Sequence, residues 1–129
     1  MAWLWVSLGS AIGGAARYWL SGAVAARWGE AFPMGTLAVN VLGSAVIGAI
    51  AASIEPEGRL WLSPAARDFV MLGVLGGFTT FSSFSLQTLN LARDGEGLWA
   101  GANIVGSVVL CLVAVWLGYA AGQWFNSRT

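Results

Sequence analysis

Apolar residues along this chain fall into four long blocks separated by short polar runs, a pattern too long and too uniformly hydrophobic for the amphipathic helices of a water-soluble domain. The first block covers residues 3–26 and gives way to Arg27, Trp28, Gly29 and Glu30, with Pro33 marking the turn into the next. The second, 35–54, ends in the charged and helix-breaking run Glu55, Pro56, Glu57 and Gly58. A stretch with Trp61, Ser63 and Pro64 then leads through Arg67 and Asp68 into the third block, 69–91. A polar loop of Arg93, Asp94, Gly95, Glu96 and Gly97 precedes the fourth, 98–125. A helix needs roughly 20 mostly apolar residues to cross a bilayer. The pattern therefore predicts an all-α membrane protein, a single four-span domain over residues 1–129.

Composition closes off the alternatives to that picture. With 129 residues, 57% hydrophobic and 9% charged, and a mean hydropathy of +0.72, the chain has too little polar surface to cover a soluble fold. Net charge is zero, and the six basic residues are all arginine, so there is no basic stripe to hold a nucleic acid backbone. The single cysteine, Cys111, lies in the fourth block, which excludes an intrachain disulfide and a cysteine-based metal cluster. No basic segment precedes Trp3, so the first block reads as a retained helix and not as a cleaved leader. Trp3, Trp5, Trp28, Trp61, Trp99 and Trp124 fall near block ends, where indoles mark the headgroup level. In a four-span topology, one side carries Arg59, Arg67 and Arg128 and the other Arg27 and Arg93. That near-balance predicts insertion in both orientations and antiparallel pairing of two copies, with one fixed orientation as the alternative.

The blocks also contain polar residues that a lipid-facing helix would avoid. Arg17 lies well inside the first, in Gly13-Gly14-Ala15-Ala16-Arg17-Tyr18, where a guanidinium is either a structural anchor or an attractor of anions. The six acids, Glu30, Glu55, Glu57, Asp68, Asp94 and Glu96, all fall in loops or at block ends, so no carboxylate is placed to carry a proton through the membrane. In the second block Thr36, Asn40, Ser44, Gly48 and Ala52 recur every four residues and form a small, polar stripe. Asn103, Ser107 and Cys111 repeat the spacing in the fourth. Helix packing explains the small residues, including Gly9 with Gly13, Gly73 with Gly77 and Gly118 with Gly122. A mid-span asparagine in each of two helices points to something wetter.

The third block is the most informative: Gly73-Val74-Leu75-Gly76-Gly77-Phe78-Thr79-Thr80-Phe81-Ser82-Ser83-Phe84-Ser85. Two glycines followed by two β-branched threonines make a poor helix centre, which predicts a break near the middle of this span. A break frees carbonyls able to coordinate a hard cation, and it survives at membrane depth only when buried in protein or lining a cavity. Beyond it, the hydroxyls of Ser82, Ser83, Ser85 and Thr88 alternate with Phe81 and Phe84, whose electropositive ring edges can face an anion.

At this point the sequence resembles a known family. Gly13–Tyr18, the run Gly35-Thr36-Leu37-Ala38-Val39-Asn40, and above all Gly76 to Ser85 are similar to the signature blocks of the CrcB/Fluc fluoride channels, in the same order along a chain of the same length. The resemblance implies a dual-topology antiparallel homodimer in the bacterial cytoplasmic (inner) membrane. It implies two fluoride pores and a structural, untransported sodium ion at the dimer interface, held by the backbone carbonyls of Gly76 and Thr79 from both subunits. By the same resemblance Asn40, Phe81, Phe84, Ser82, Ser83 and Ser107 belong to the pore, and Arg17 to a vestibule. Gln87 stands where many family members carry an acid, which separates this chain from any role of that acid. Cys111 replaces what is a hydroxyl elsewhere.

The expected activity is passive export of fluoride down its electrochemical gradient, with no chemical reaction and no catalytic acid–base pair. A small, strongly hydrated anion needs hydrogen-bond donors at many points without a trap. Two other readings compete. A small multidrug-exporter-like transporter would need a membrane-embedded carboxylate, and a non-conducting helical assembly leaves the cost of Arg17, Asn40 and Asn103 unexplained.

Overall fold

A computed structural model describes residues 1–128, and among them there are helices and turns but no strand. Helix α1 (Ala2–Trp28) runs through an alanine-rich sequence and stops at Gly29, whose φ of 80° ends the spiral while its N–H donates to the Ala25 carbonyl at 2.8 Å. Helix α2 (Met34–Ser53) starts directly after Pro33, which has no N–H to leave unsatisfied. The loop after it leads to Ser63, whose Oγ accepts from the Ala66 N–H at 3.2 Å and, with Pro64 behind it, starts the next helix.

That helix, α3, begins as a single α-turn (Pro64–Arg67), widens into a π-helical stretch (Asp68–Leu75) and closes with an α-turn (Gly76–Phe78). Thr79 and Thr80 are extended, and α4 (Phe81–Arg93) resumes behind them. The glycine pair itself stays helical, and the chain straightens at the two threonines. Gly77 serves close packing, since a Cβ there would sit 2.6 Å from the Ser10 carbonyl oxygen of α1. A turn at Gly95, with φ of 82°, leads into α5 (Gly97–Ser127), which at 31 residues is about 46 Å long.

Met34–Ser53, Pro64–Arg93 taken as one segment, and Gly97–Ser127 are long and apolar enough to cross a membrane. The first expected span is a helix of ample length, 27 residues, but more polar than those three, with Arg17 and several glycines and serines along it. Helix α2 stops at Ser53, inside its expected block, whereas the other helices run past theirs, because ends such as Trp28, Arg93 and Ser127 continue the helix beyond the apolar stretch.

Two seams hold the bundle together. Helix α2 lies along α5, and α1 along the π-helical part of α3. Both rely on missing side chains: a Cβ at Gly118 would collide with the Ala45 carbonyl, and one at Gly13 with the Val74 carbonyl. Helices that approach this closely gain van der Waals contact along their backbones, which is how association proceeds where lipid removes the hydrophobic drive between helices. The interior is correspondingly small, with Val39 and Asn103 as its largest fully buried side chains. Trp19, Trp116, Leu112 and many other large apolar residues face outward, as suits a lipid solvent.

Candidate functional site

The two extended threonines are the centre of the molecule's polar chemistry. Leaving the helix at Thr79 (φ −86°, ψ 158°) and Thr80 (φ −152°, ψ 116°) strips main-chain groups of their helical partners, and the surrounding side chains replace them. Asn40 of α2 does so twice over: its Oδ1 accepts from the Thr80 N–H at 2.8 Å and its Nδ2 donates to the Thr80 carbonyl at 3.0 Å. The carboxamide thereby imitates a strand neighbour. Arg17 of α1 donates from Nη1 to the Thr79 carbonyl at 3.2 Å. Thr79 Oγ1 turns back to the Leu75 carbonyl at 3.0 Å. Thr80 Oγ1 caps α4 by accepting from the Ser83 N–H at 3.2 Å, and lies 3.3 Å from Ser82 Oγ and 3.1 Å from Ser83 Oγ.

The Thr80 N–H, which in an unbroken helix would close on the Gly76 carbonyl, is committed to Asn40. The Gly76 carbonyl is thereby relieved of its regular donor. The Thr79 carbonyl, with one lone pair facing Arg17, keeps a second acceptor site. These are the oxygens from which a hard-cation site would be built, and their chemistry fits a sodium ion.

Cavities flank the interruption on both sides. One, of about 450 Å³, is lined by Asn40, Ser44, Thr79, Phe81, Phe84, Ser107 and Cys111, with apolar neighbours and no charged side chain. The rings of Phe81 and Phe84 are tilted at 51° with centroids 5.2 Å apart; Phe84 is buried, whereas Phe81 is 78% exposed. From this wall a file of hydrogen bonds leads inward. Ser107 Oγ donates to Asn103 Oδ1 at 3.3 Å, Asn103 Nδ2 to Thr88 Oγ1 at 2.9 Å, and Thr88 Oγ1 to the Phe84 carbonyl at 2.7 Å. The other cavity, about 1210 Å³, is walled by α1, α2 and α4 and includes Arg17, Thr36, Thr80, Ser83, Gln87 and Asn90, with Glu30 and Asp94 at its loop end. The Gln87 Oε1 is buried here without a hydrogen-bond partner.

The residues expected for the pore, the vestibule and the cation site lie in two neighbouring places. Asn40, Phe81, Phe84 and Ser107 line the smaller cavity, Arg17 and Ser83 the larger, and Thr79 and Thr80 form the wall between. Ser82 lines neither cavity and is exposed, its hydroxyl beside Thr80 Oγ1. Gly76 lies on the smaller cavity beside Thr79. Sequence reasoning left Thr80 without a site role, although its hydroxyl meets both Ser82 and Ser83 and its peptide groups are held by Asn40. The signal available was its position two residues before a run of serines, where a hydroxyl caps the returning helix. Asn103 was conspicuous in its span, but its link to Thr88 joins two helices and is invisible along the chain.

A bundle of apolar helices, one of them interrupted between two cavities with neutral donors and aromatic rings at the interruption, is the architecture of a membrane pathway protein. Residues 4–119 match the family of CrcB-like proteins, described as Camphor Resistance (CrcB). The chain belongs to that family. It is 60% identical over 125 residues to a protein of Opitutus terrae named fluoride-specific ion channel FluC, covering 97% of this chain and 95% of that one. Proteins of the same name from Rhodospirillum rubrum, 54% identical with 98% of each chain covered, and from Methylocella silvestris, 55% identical with 98% of this chain and 96% of the other covered, are similarly close.

Proposed function

We propose that this chain is the subunit of a fluoride-selective channel that lets fluoride leave the cell down its electrochemical gradient. The observation that carries the reading is the smaller cavity, where the amide of Asn40, the hydroxyls of Ser44 and Ser107 and the rings of Phe81 and Phe84 meet with no charged group among them. Fluoride gives up its water only for donors at many points, and a fixed cation would hold it too long. Neutral amides, hydroxyls and ring edges supply attraction without a trap. The absence of a carboxylate from this wall disfavours the proton-coupled exporter, and the names of relatives matched over nearly the whole chain point the same way.

In this reading the chain crosses the membrane four times, α1 included, with the third span broken at Thr79 and Thr80. Two copies pair antiparallel in the bacterial inner membrane. The exposure of Phe81 supports a partner, since a pore ring facing lipid on one side would have no confined path beside it. At the interface the carbonyls of Gly76 and Thr79 from both copies would hold a structural sodium ion, which ties the subunits together. Arg17 and Ser83 would receive the ion in the larger cavity, Ser82 would extend the hydroxyl file at the break, and Asn40 would both fix the Thr80 backbone and present its remaining N–H to the pore.

Purified protein in liposomes loaded with fluoride or chloride tests the proposal through ion-selective electrode traces. Rapid fluoride efflux with chloride retained is the expected result. No fluoride efflux, or equal efflux of both halides, would sink it.

A further inference from the structure

The larger cavity has an electrostatic asymmetry that the conduction reading does not use. Its only cationic lining residue is Arg17, held against the Thr79 carbonyl at the inner wall. Its two acidic lining residues, Glu30 and Asp94, are both exposed and belong to the loops that close the bundle at one end. The first loop packs on the start of α5, directly after the second, where the rings of Phe32 and Trp99 meet edge to face at 5.7 Å. The other charges at this end, Arg27 in α1, Arg93 in α4 and Glu96, do not line the cavity, and the Arg27 guanidinium sits 5.8 Å from the Trp28 ring centroid. An anion entering from this end meets two carboxylates before it meets one guanidinium.

We infer that Glu30 and Asp94 act as an electrostatic brake at the cavity mouth, lowering the local anion concentration and thus the rate at which fluoride reaches Arg17. Charged groups at a mouth with low-dielectric walls change ion entry by altering the local potential, and salt abolishes the effect. The screening length is about 30 Å at 0.01 M ionic strength and about 8 Å at 0.15 M. The brake is strong in dilute solution and slight in concentrated salt. The inference rests on the fluoride-channel reading, and its test separates the two.

Initial fluoride efflux from liposomes is measured for the full-length wild type, the double variant Glu30→Gln/Asp94→Asn, and Glu57→Gln, which removes an exposed acid that lines neither cavity. Ionic strength is set with impermeant salt at about 10 mM and about 300 mM. The expected result is a rise on the order of two- to threefold for the double variant at the low value, shrinking towards parity at the high value, with Glu57→Gln indistinguishable from wild type at both. Parity at low ionic strength, a rise of the same size at both, or an equal rise in Glu57→Gln overturns the brake while leaving the channel reading intact. A wild type that passes no fluoride overturns both. Substitution of exposed loop carboxylates by their amides leaves the helix seams untouched, and matched elution profiles verify that the variants assemble.

Discussion

The seam between α2 and α5 and the interruption between α3 and α4 solve opposite problems. Along the seam the contact is mainly backbone on small residues, with Asn126 Nδ2 donating to the Ala52 carbonyl at 2.9 Å near its end, and the design consists of leaving atoms out: Gly118 lacks a side chain so that Ala45 can approach with its main chain. At the interruption the backbone is left short of partners, and atoms are brought in from other helices to replace what was lost, from Asn40 and Arg17 to the hydroxyl of Thr80. One region is made by subtraction and tolerates no addition. The other is made by addition and tolerates no subtraction. Assembly depends chiefly on the first, and the path of an ion chiefly on the second.

Three substitutions test that division. Gly118→Val places new atoms against a carbonyl of the neighbouring backbone, which has no rotamer to yield, so the change should cost at least the upper end of the about 1–3 kcal/mol usual for overpacking. Loss of monodisperse protein on size exclusion in detergent is the expected outcome; normal yield would show that the seam has slack. Asn40→Ala removes both partners of the Thr80 peptide groups, each worth about 1–3 kcal/mol when left unsatisfied. Here helix content by circular dichroism should hold while fluoride efflux falls at least roughly tenfold, the barrier change expected from about 1.4 kcal/mol. Efflux at the wild-type rate would mean that water replaces the carboxamide, and the interruption would lose its claim to be specifically supported. Phe81→Ile is the mildest. The ring is exposed in the single chain and contributes little to folding, so yield should be unchanged. Efflux should drop about two- to tenfold if a ring edge contributes the about 0.5–1.5 kcal/mol typical of aromatic geometry. An unchanged rate here and in Phe84→Ile would remove the rings from the mechanism.

Much of this organisation was legible along the chain, and what was not shares a physical cause. Helices are local, so each apolar block overlaps a helix, α1, α2, the pair α3 and α4, and α5, although α3 already begins at Pro64, ahead of its block. Small residues at helical spacing announced the close seams, because a missing Cβ matters wherever it falls on a helix face. The two glycines and two threonines from Gly76 to Thr80 pointed to the right segment, within which Gly76 and Gly77 remain helical against α1 and the chain is extended at Thr79 and Thr80. Asn40 was singled out as a pore amide, and its double bond to Thr80 depends on how α2 lies beside α3, which no local pattern encodes. The same holds for the Arg17 contact with Thr79 and for the Ser107, Asn103 and Thr88 file. The comparative softness of α1, long enough but less apolar than its neighbours, was visible only as the isolated arginine at 17.

The π-helical stretch Asp68–Leu75 gives α3 a reserve of length next to the site. Such widened turns accommodate an extra residue within an otherwise α-helical path, so a one-residue deletion between 68 and 75 would let α3 rewind as an ordinary helix with the turns on either side close to their present phase. Thr79 and Thr80 would then keep Arg17 and Asn40 as partners. The regular helix α4 has no such reserve, and a deletion there turns everything beyond it by about 100°. Tolerance of a lost residue is therefore expected to be greater before the two threonines than after them.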